Sequence, residues 1–331
     1  MTTATSTKIL LIQTAFIGDV VLATPLIEEL YRFFPNHQID FLLRKGNENL
    51  LVGHPKLHKI LIWDKKKSKY LHLWQLLKTI RSEKYDFVVN LQRFGATGLL
   101  TAFSAATQTI GFSKNPFSIF FSKKIQHKIG SPDQKIHEVE RNLQLIQHLT
   151  GNTALIRPKL YPSKQDFESI KNYQSVSYVC ISPTSVWQTK QVPAERWQIL
   201  INYLLDTHTH IYLLGAPSDF SVCEQIKSQS DSEQIQNLAG KLSFLQSCAL
   251  MSGATMNYVN DSAPLHFASA MNAPVTAFFC STLPSFGFYP LSDVSFARQI
   301  AAPLPCRPCG LHGKTSCPQG HFRCGNEIQM I

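Results

Sequence analysis

Short apolar runs alternate with amphipathic stretches along almost the whole chain. The runs are rich in Ile, Val, Leu and Phe, and each has the length of one strand. Strands that are apolar at every position are typical of parallel sheets covered by helices on both faces. Predicted strands span 9–12, 39–43, 59–63, 87–91, 109–110, 178–181, 210–214, 254–259 and 275–279. Predicted helices span 20–34, 71–81, 97–105, 137–149, 194–206, 220–228, 242–251 and 263–270.

The strand–helix order occurs twice, on either side of the polar stretch TGNTALIRPKLYPSKQD at 150–166. We therefore expect two doubly wound α/β domains, residues 1–160 and 161–331. Ligands of such sheets bind beyond the carboxyl ends of the strands, so the strand-to-helix loops are the places to search for chemistry.

The composition is that of a folded globular protein, with 44% hydrophobic and 16% charged residues among 331. No apolar run approaches the roughly 18 residues of a membrane-spanning helix. The N-terminal MTTATSTK lacks the apolar segment of a signal peptide, so a cytoplasmic location is expected.

Positive charge is concentrated in the first half. Residues 1–150 hold 20 Lys and Arg against 11 Asp and Glu, whereas residues 151–331 hold 12 against 11. An anionic partner of the first half, such as a phosphorylated lipid, a membrane face or nucleic acid, would account for this; solubility alone is the other explanation. Lys65, Lys66, Lys67 and Lys69 are expected to lie on an exposed loop.

The first candidate loop lies in LIQTAFIGDVVLATPLIEEL, residues 11–30. Gly18 offers backbone freedom, and Asp19 stands where a helix is expected to begin. Asp19 is either a helix cap or a general base at the mouth of a crevice. The G-x-G-x-x-G pattern of dinucleotide-binding proteins is missing, which argues against a nicotinamide-dependent enzyme.

Three later loops carry groups suited to a nucleotide. In ISPTSVWQTKQVPAERW (181–197), Thr184, Ser185, Thr189 and Lys190 precede a helix that Pro193 would open, an arrangement suited to phosphate or to an ordinary polar loop. In LLGAPSDF (213–220), Asp219 could face a ribose hydroxyl or simply form a turn.

The last of these loops begins with Asn260, in YVNDSAPLHFASAMNAPVTAFF (258–279). There Asp261, Ser262, Ala263 and His266 surround a predicted helix start, where phosphate binding and simple capping are the alternatives.

A cysteine-rich tail, CRPCGLHGKTSCPQGHFRC, occupies residues 306–324. It contains Cys306, Cys309, Cys317 and Cys324, with His321 between the last two. The spacing has the form of a structural zinc site, while disulfides or reduced thiols are the alternatives. In none of these states is a catalytic role expected.

Taken together, the loops resemble those of the ADP-heptose:lipopolysaccharide heptosyltransferases, glycosyltransferase family nine. The resemblance is carried by the segments at 8–44, 86–112, 137–146, 183–197, 260–279 and 286–292. The I-G-D-x-x-x-x-T-P opening and the N-D-S-x-P-x-H-x-A-x-A segment are specific as a pair. The tail is compatible with the family, since comparable Cys-rich tails occur in some of its members.

This resemblance implies a GT-B fold, in which two Rossmann-like doubly wound domains face each other across a cleft. It implies an acceptor-binding first domain, a nucleotide-sugar-binding second domain, and metal-independent inverting transfer of heptose from ADP-heptose to the inner core of lipopolysaccharide. Asp19 matches the catalytic base, and Lys190 the diphosphate-binding lysine. Thr184, Ser185, Asp219, Asp261, Ser262, Ala263 and His266 match or adjoin nucleotide-binding positions.

The expected partners are thus the ADP-heptose donor and a lipid-anchored acceptor, at the inner face of the inner membrane. No catalytic cofactor and no nucleic acid are expected. Two alternatives stay open from the residues: a related glycosyltransferase that uses another nucleotide sugar, and a basic nucleic-acid-binding protein with a zinc knuckle.

Overall fold

A computed structural model of the chain describes residues 6–66, 69–207, 209–230 and 232–331. Lys67 and the side chain of Lys69, two of the lysines expected on an exposed loop, lie outside this description. The chain divides into two compact units. The first runs to Ile129 and continues over Glu138–Tyr161, and the second comprises Gly130–His137 and Pro162–Ile331.

The first unit is built on a parallel sheet of six strands in the order β3-β2-β1-β4-β5-β6. Its strands are β1 (Thr7–Ile12), β2 (His37–Arg44), β3 (Lys59–Trp63), β4 (Phe87–Asn90), β5 (Gln108–Phe112) and β6 (Lys123–Ile125). Its helices are α1 (Ile17–Phe33), α2 (Lys69–Glu83), α3 (Gly95–Ala102), α4 (Glu138–Gln144) and α5 (Gln147–Thr150), with single 3₁₀ turns at Glu48–Leu50 and Ser118–Phe120.

The central strand β1 explains why the sheet is buried. Leu10 and Ile12 contribute to a core on one face that includes Leu76 and Ile80 of α2, while Ile9 and Leu11 are equally buried. The last four residues of β1, Ile9–Ile12, have no polar side chain and need cover on both faces, and parallel pairing with crossover helices provides it.

The second unit repeats the plan, with strand order β12-β11-β10-β7-β8-β9 and all described pairs parallel. Its strands are β7 (Tyr178–Ser182), β8 (His210–Leu213), β9 (Ile235–Asn237), β10 (Met256–Asn260), β11 (Val275–Phe279) and β12 (Ser295–Gln299). Its helices are α6 (Lys164–Ser169), α7 (Ala194–Asp206), α8 (Phe220–Ser228), α9 (Phe244–Gly253), α10 (Ala263–Met271) and α11 (Arg323–Asn326). Four 3₁₀ turns lie at Lys171–Gln174, Gln188–Lys190, Pro217–Asp219 and Pro284–Phe286.

The core of the second unit includes the end of the cysteine-rich tail. The ring of Trp197 on α7 meets that of Phe278 on β11 edge to face at a centroid distance of 5.3 Å. Cys324, Ile328 and Met330 are buried in the same cluster. The tail is therefore an integral part of the second unit.

All nine predicted strands are present, and β6, β9 and β12 are additional. The helix predicted at 137–149 is wrong as a single element, because α4 and α5 are separated at Leu145 and Ile146. The amides of these two residues bond three residues back, to the carbonyls of Asn142 and Leu143, which tightens the chain out of the α-helix. Among the described residues, no helix is long and apolar enough to cross a membrane.

Candidate functional site

Asp19 lies in the first turn of α1, directly beyond the carboxyl end of β1. Its Oδ2 accepts a hydrogen bond from the backbone N–H of Phe16 at 3.0 Å. The N-cap residue of α1 is Phe16, so Asp19 is not the N-cap considered from the sequence; its carboxylate closes the turn from the third helical position. Asp19 is partly exposed and lies at the sheet edge where ligands of such folds bind. Gly18 is helical, so the special backbone freedom expected for it is not used.

A polar network holds the loop before Asp19. The Gln13 side-chain oxygen accepts from Ala15 N–H at 3.2 Å and also from the Gln92 side chain. Asn47 Nδ2 donates to the Ala15 carbonyl at 3.0 Å, and Lys65 Nζ donates to the Thr14 carbonyl at 2.8 Å. Side chains from the loops after β2, β3 and β4 therefore fix the approach to α1.

Two charged residues near Asp19 were missed by the sequence analysis. Glu138 and Arg141, one turn apart on α4, form an ion pair with Nη2 and Oε2 2.5 Å apart, and the Arg141 side chain is only 2% exposed. Burial, with a further contribution from the negative charge of Asp19, raises the pKa of Glu138, whereas Arg141 opposes this shift. The HEVER segment that holds both residues was noted only as part of a family resemblance, and nothing in its spacing indicates proximity to residue 19.

In the second unit, the loops after β7 and β10 meet through an ion pair. Lys190 Nζ lies 2.7 Å from Asp261 Oδ2, and the two side chains are only 12% and 4% exposed. The hydroxyl of Thr282 donates to the same carboxylate oxygen at 2.6 Å. The structure thus brings together two residues that were predicted separately and lie 71 positions apart in the chain.

Neighbouring contacts fix the backbone around this pair. The Asn260 side chain accepts from Val192 N–H at 3.0 Å and donates to the Pro183 carbonyl at 2.7 Å, so one amide joins the β10 loop to the β7 loop. Thr189 is buried, and its hydroxyl accepts from Ser281 Oγ at 3.0 Å. Pro193 is the N-cap residue of α7, which begins at Ala194.

His266 lies on the first turns of α10 and is buried. Burial, together with the charge of Lys190, lowers the pKa of His266 to about 3, so the ring is neutral. Its Nδ1 is a buried atom without a hydrogen-bond partner. Ser262 is the N-cap residue of α10 but does not cap through its side chain, whose hydroxyl lies 3.4 Å from the Asn260 carbonyl. Ala263 is the first residue of the helix.

The remaining predicted nucleotide contacts are partly exposed. Thr184 and Ser185 lie in the loop after β7, where the Ser185 carbonyl accepts from Gln191 Nε2 at 2.6 Å. Asp219 follows β8 and accepts from Ala216 N–H at 2.8 Å, closing its own turn. Since β8, β7 and β10 are neighbours with parallel directions, the loops of these residues emerge at one edge of the sheet.

The cysteine tail supports the Lys190 loop. Lys314 N–H donates to Thr189 Oγ1 at 2.8 Å, and Thr189 N–H donates to the Lys314 carbonyl at 3.1 Å. Arg307 donates to the carbonyls of Phe279, Cys280 and Thr282, at the carboxyl end of β11. These bonds tie the tail to the loop of Lys190 and to the loop after β11, whose Thr282 donates to Asp261.

The four tail cysteines are not joined by disulfides in this structure. Cys306 Sγ lies 3.8 Å from His321 Nε2, and Cys309 Sγ lies 3.6 Å from the Cys306 carbonyl oxygen. Burial raises the pKa of Cys324 to about 11, and the charges of Cys306, Cys309 and Cys317 add to the shift. In the described part of the chain, no three His, Cys, Asp or Glu side chains are arranged to hold a metal ion.

Comparison with known proteins gives consistent matches. The family model for glycosyltransferase family 9 (heptosyltransferase) matches residues 73–315. Lipopolysaccharide heptosyltransferase 3 of Escherichia coli is 27% identical over 279 residues, covering 81% of this chain and 82% of the relative.

Two solved structures share the fold over most of their length. A glycosyl transferase family 9 protein from Veillonella parvula DSM 2008 has a TM-score of 0.78 at 20% identity, covering 88% of this chain and 85% of that one. The E. coli ADP-heptose lps heptosyltransferase II has a TM-score of 0.76 at 21% identity, covering 96% and 97%. The predicted fold class, α/β of the GT-B type with two Rossmann-like doubly wound sheets, is confirmed.

Buried, neutral His266 predicts a pH dependence of stability. Between pH 6.5 and about 3 the unfolded chain binds a proton that the folded ring does not, so this residue lowers stability as the pH falls. From pH 6.5 to pH 5 the expected loss is about 2 kcal/mol in the free energy of unfolding. Urea unfolding of the wild type and His266→Gln at both pH values measures this loss by difference. The partly exposed His210, changed to Gln, is the control; an equal pH response of the wild type and His266→Gln would contradict the assignment.

Proposed function

Because the chain belongs to glycosyltransferase family 9, the heptosyltransferase family, we propose that it transfers heptose from ADP-heptose to the inner core of lipopolysaccharide. The observation that carries this proposal is the buried Lys190–Asp261 pair at the carboxyl ends of β7 and β10. The names of the relatives supply the sugar and the acceptor, since they are lipopolysaccharide heptosyltransferases and an ADP-heptose enzyme.

The donor is proposed to bind to the second unit, residues 161–331 in the division expected from the sequence. Lys190 supplies positive charge to the diphosphate, and the N-terminus of α10 at Ser262 and Ala263 supplies backbone donors. Thr184 and Ser185 line the approach to Lys190, and neutral His266 lies beside the same helix start. Asp219 is assigned to the ribose hydroxyls.

The acceptor is proposed to bind to the first unit, residues 1–160 in that division, with Asp19 as the general base. The acceptor hydroxyl oxygen forms a bond to the anomeric carbon of heptose, and its proton passes to the Asp19 carboxylate. The bond from the anomeric carbon to the β-phosphate oxygen breaks, and ADP leaves with that electron pair. Lys190 balances the charge that grows on the leaving diphosphate.

A single displacement from the face opposite the leaving group inverts the anomeric centre. One base suffices for this course, whereas a retaining reaction through a glycosyl-enzyme needs a second carboxylate as nucleophile. We propose that the step requires no metal ion, since a lysine and a helix N-terminus supply the positive potential. Glu138 and Arg141 are proposed to set the charge around Asp19.

The acceptor of this reaction carries a lipid anchor. We therefore propose a cytoplasmic protein that works peripherally at the inner face of the inner membrane, with ADP-heptose and the lipopolysaccharide core as its partners. The excess of Lys and Arg in residues 1–150 supports a first unit that faces phosphorylated, anionic material. Nucleic acid is not expected as a partner.

Calorimetric titration tests the donor and the role of Lys190 together. The wild type is expected to bind ADP-heptose in preference to UDP-glucose, GDP-mannose and NAD. Lys190→Ala is expected to weaken binding at least about tenfold, because a hydrogen bond to a charged group contributes on the order of 1.5–3 kcal/mol. Lys190→Arg tests retention of charge, and Lys171→Ala, which removes an exposed lysine of the same unit, is the control.

Preference for another nucleotide sugar would retain the chemistry and reject the heptose donor. Unchanged ADP-heptose affinity in folded Lys190→Ala would remove this lysine from the site. Circular dichroism of each variant checks that loss of one partner of the buried pair has not unfolded the second unit.

Asp19→Asn tests the base. Turnover is expected to fall by about 10²–10⁴ while ADP-heptose affinity stays near the wild-type value, since the amide cannot accept the proton. Asp166→Asn is a matched control, because the Asp166 carboxylate also accepts a backbone N–H from the residue three positions before it. Near-normal turnover in Asp19→Asn would show that the residue is only a helix cap.

Structural zinc at Cys306, Cys309, Cys317 and Cys324 is a separate proposal about the tail. The spacing of the sulfur ligands suits zinc, whereas the described side chains are not arranged to hold a metal ion, and zinc would have to displace the proton that burial retains on Cys324. Elemental analysis of the purified chain is expected to give one zinc per molecule, lost in Cys309→Ser and kept in Cys248→Ser. Reactive thiols without zinc, or a disulfide found by mass spectrometry, would contradict it.

A further inference from the structure

An aromatic cluster projects from the first unit between α3 and β6. It consists of Phe103, Phe117, Ile119 and Phe120. The three rings lie 6.1–6.5 Å apart between centroids, so the side chains form one contiguous group. Ile119 is 75% exposed, Phe120 61% and Phe103 46%. Apolar side chains grouped in this way on a surface mark a binding surface more often than isolated ones do.

The cluster is held by its supporting loop. Asn115 Nδ2 donates to the carbonyls of Gln92 and Phe94, and the hydroxyl of Ser118 donates to the Ser113 carbonyl at 2.9 Å. Phe121, next to the exposed residues, is buried and lies over Gly111, where a Cβ would stand 2.6 Å from its ring. The loop thus presents apolar side chains outward while one neighbouring ring anchors it.

A stripe on α2 continues this surface. Leu71, Trp74, Lys78 and Arg81 recur three or four positions apart, so they lie on one helix face, and all four are exposed. Leu71 is 60% and Trp74 56% exposed. Arg81 Nη1 donates to the Phe103 carbonyl at 2.9 Å, which joins the stripe to the aromatic cluster.

The chain segment that carries the aromatic cluster has charge of one sign, whereas the α2 stripe adjoins Glu83, which is paired with Lys8 and Lys59. Between Asp86 and Asp133 the sequence contains no Asp or Glu, whereas it contains Arg93, Lys114, Lys123, Lys124 and Lys128. Lys123 and Lys124 are exposed on β6, immediately after the anchoring Phe121. The surface therefore combines exposed aromatic and aliphatic side chains with a cationic surround.

We propose that the aromatic cluster and the α2 stripe bind the surface of an anionic phospholipid bilayer. The rings, Trp74 and the aliphatic side chains would enter the interface, and the lysines and arginines would contact lipid phosphates. This inference rests on the proposed function, whose acceptor is lipid-anchored. It adds the surface through which the enzyme reaches that acceptor.

Two other occupants fit the surface less well. A second copy in a two-fold dimer would bring cationic surrounds face to face, and this stretch of the chain contains no carboxylate to pair with them. A nucleic acid would match the positive charge. The exposed side chains of Ile119 and Leu71, however, can neither hydrogen-bond to a base nor neutralise a phosphate.

Vesicle flotation of the full chain tests the proposal without nucleotide sugar or acceptor. Binding is expected to phosphatidylcholine vesicles containing about 30% phosphatidylglycerol, with weaker binding to phosphatidylcholine alone and at high salt. The double variant Ile119→Asp/Phe120→Asp is expected to bind at least tenfold less. Val294→Asp/Phe296→Asp, an equal change at exposed apolar positions of the second unit, is the control and should bind as the wild type does.

Trp74 fluorescence reports whether the surface itself meets lipid. Anionic vesicles are expected to shift the emission to the blue, and Trp74→Phe should abolish the shift. Equal vesicle binding by the wild type and Ile119→Asp/Phe120→Asp would overturn the proposal. So would a dimer that this variant dissociates without any vesicle binding, or tighter binding to an oligonucleotide than to vesicles.

These readouts are independent of turnover. Vesicle binding without ADP-heptose binding would retain the membrane surface and reject the proposed reaction. ADP-heptose binding and turnover on a detergent-dispersed acceptor, without vesicle binding, would retain the proposed reaction and reject the membrane surface.

Discussion

The ion pair between Lys190 and Asp261 is the contact on which the organisation of the second unit depends. Two charges that are 12% and 4% exposed lose most of their hydration, and their attraction offsets this only with good geometry and further hydrogen bonds. Thr282 supplies one such bond, and Asn260 and Thr189 fix the loops on either side. Removing either partner leaves a buried charge without its counter-ion. The conformation of the two loops therefore depends on the presence of both charges.

One member of the pair also acts on a neighbouring histidine. Burial is the main cause of the lowered pKa of His266, and the ammonium of Lys190 adds to it by opposing a second positive charge. In the first unit the sign is reversed, because Asp19 opposes ionisation of Glu138 while Arg141 favours it. Each unit therefore contains a titratable side chain whose pKa depends on charged neighbours. In the second unit His266 depends on Lys190, and in the first unit Glu138 depends on Asp19 and Arg141.

Most of the fold was readable from the sequence because buried parallel strands are apolar at every position. The three strands that were missed lack that pattern: β6 reads Lys-Lys-Ile, β9 is three residues long, and β12 lies at the sheet edge with four of five residues exposed. Hydrogen bonds that reach three residues back, and not the apolar periodicity, mark the break between α4 and α5. Asp19, Lys190 and Asp261 were found because each follows a strand, whereas Glu138 and Arg141 reach Asp19 only through tertiary structure.

The tail has a consequence at the level of the gene. It contributes Cys324 to the core, the residues that follow it contribute Ile328 and Met330, and it holds Thr189 through Lys314. A stop codon at position 306 would therefore remove the support of a loop more than a hundred codons upstream, and a frameshift in this short stretch would also remove core side chains of the second unit. Codons 306–330, many of which encode exposed residues, are thus expected to be under selection against truncation.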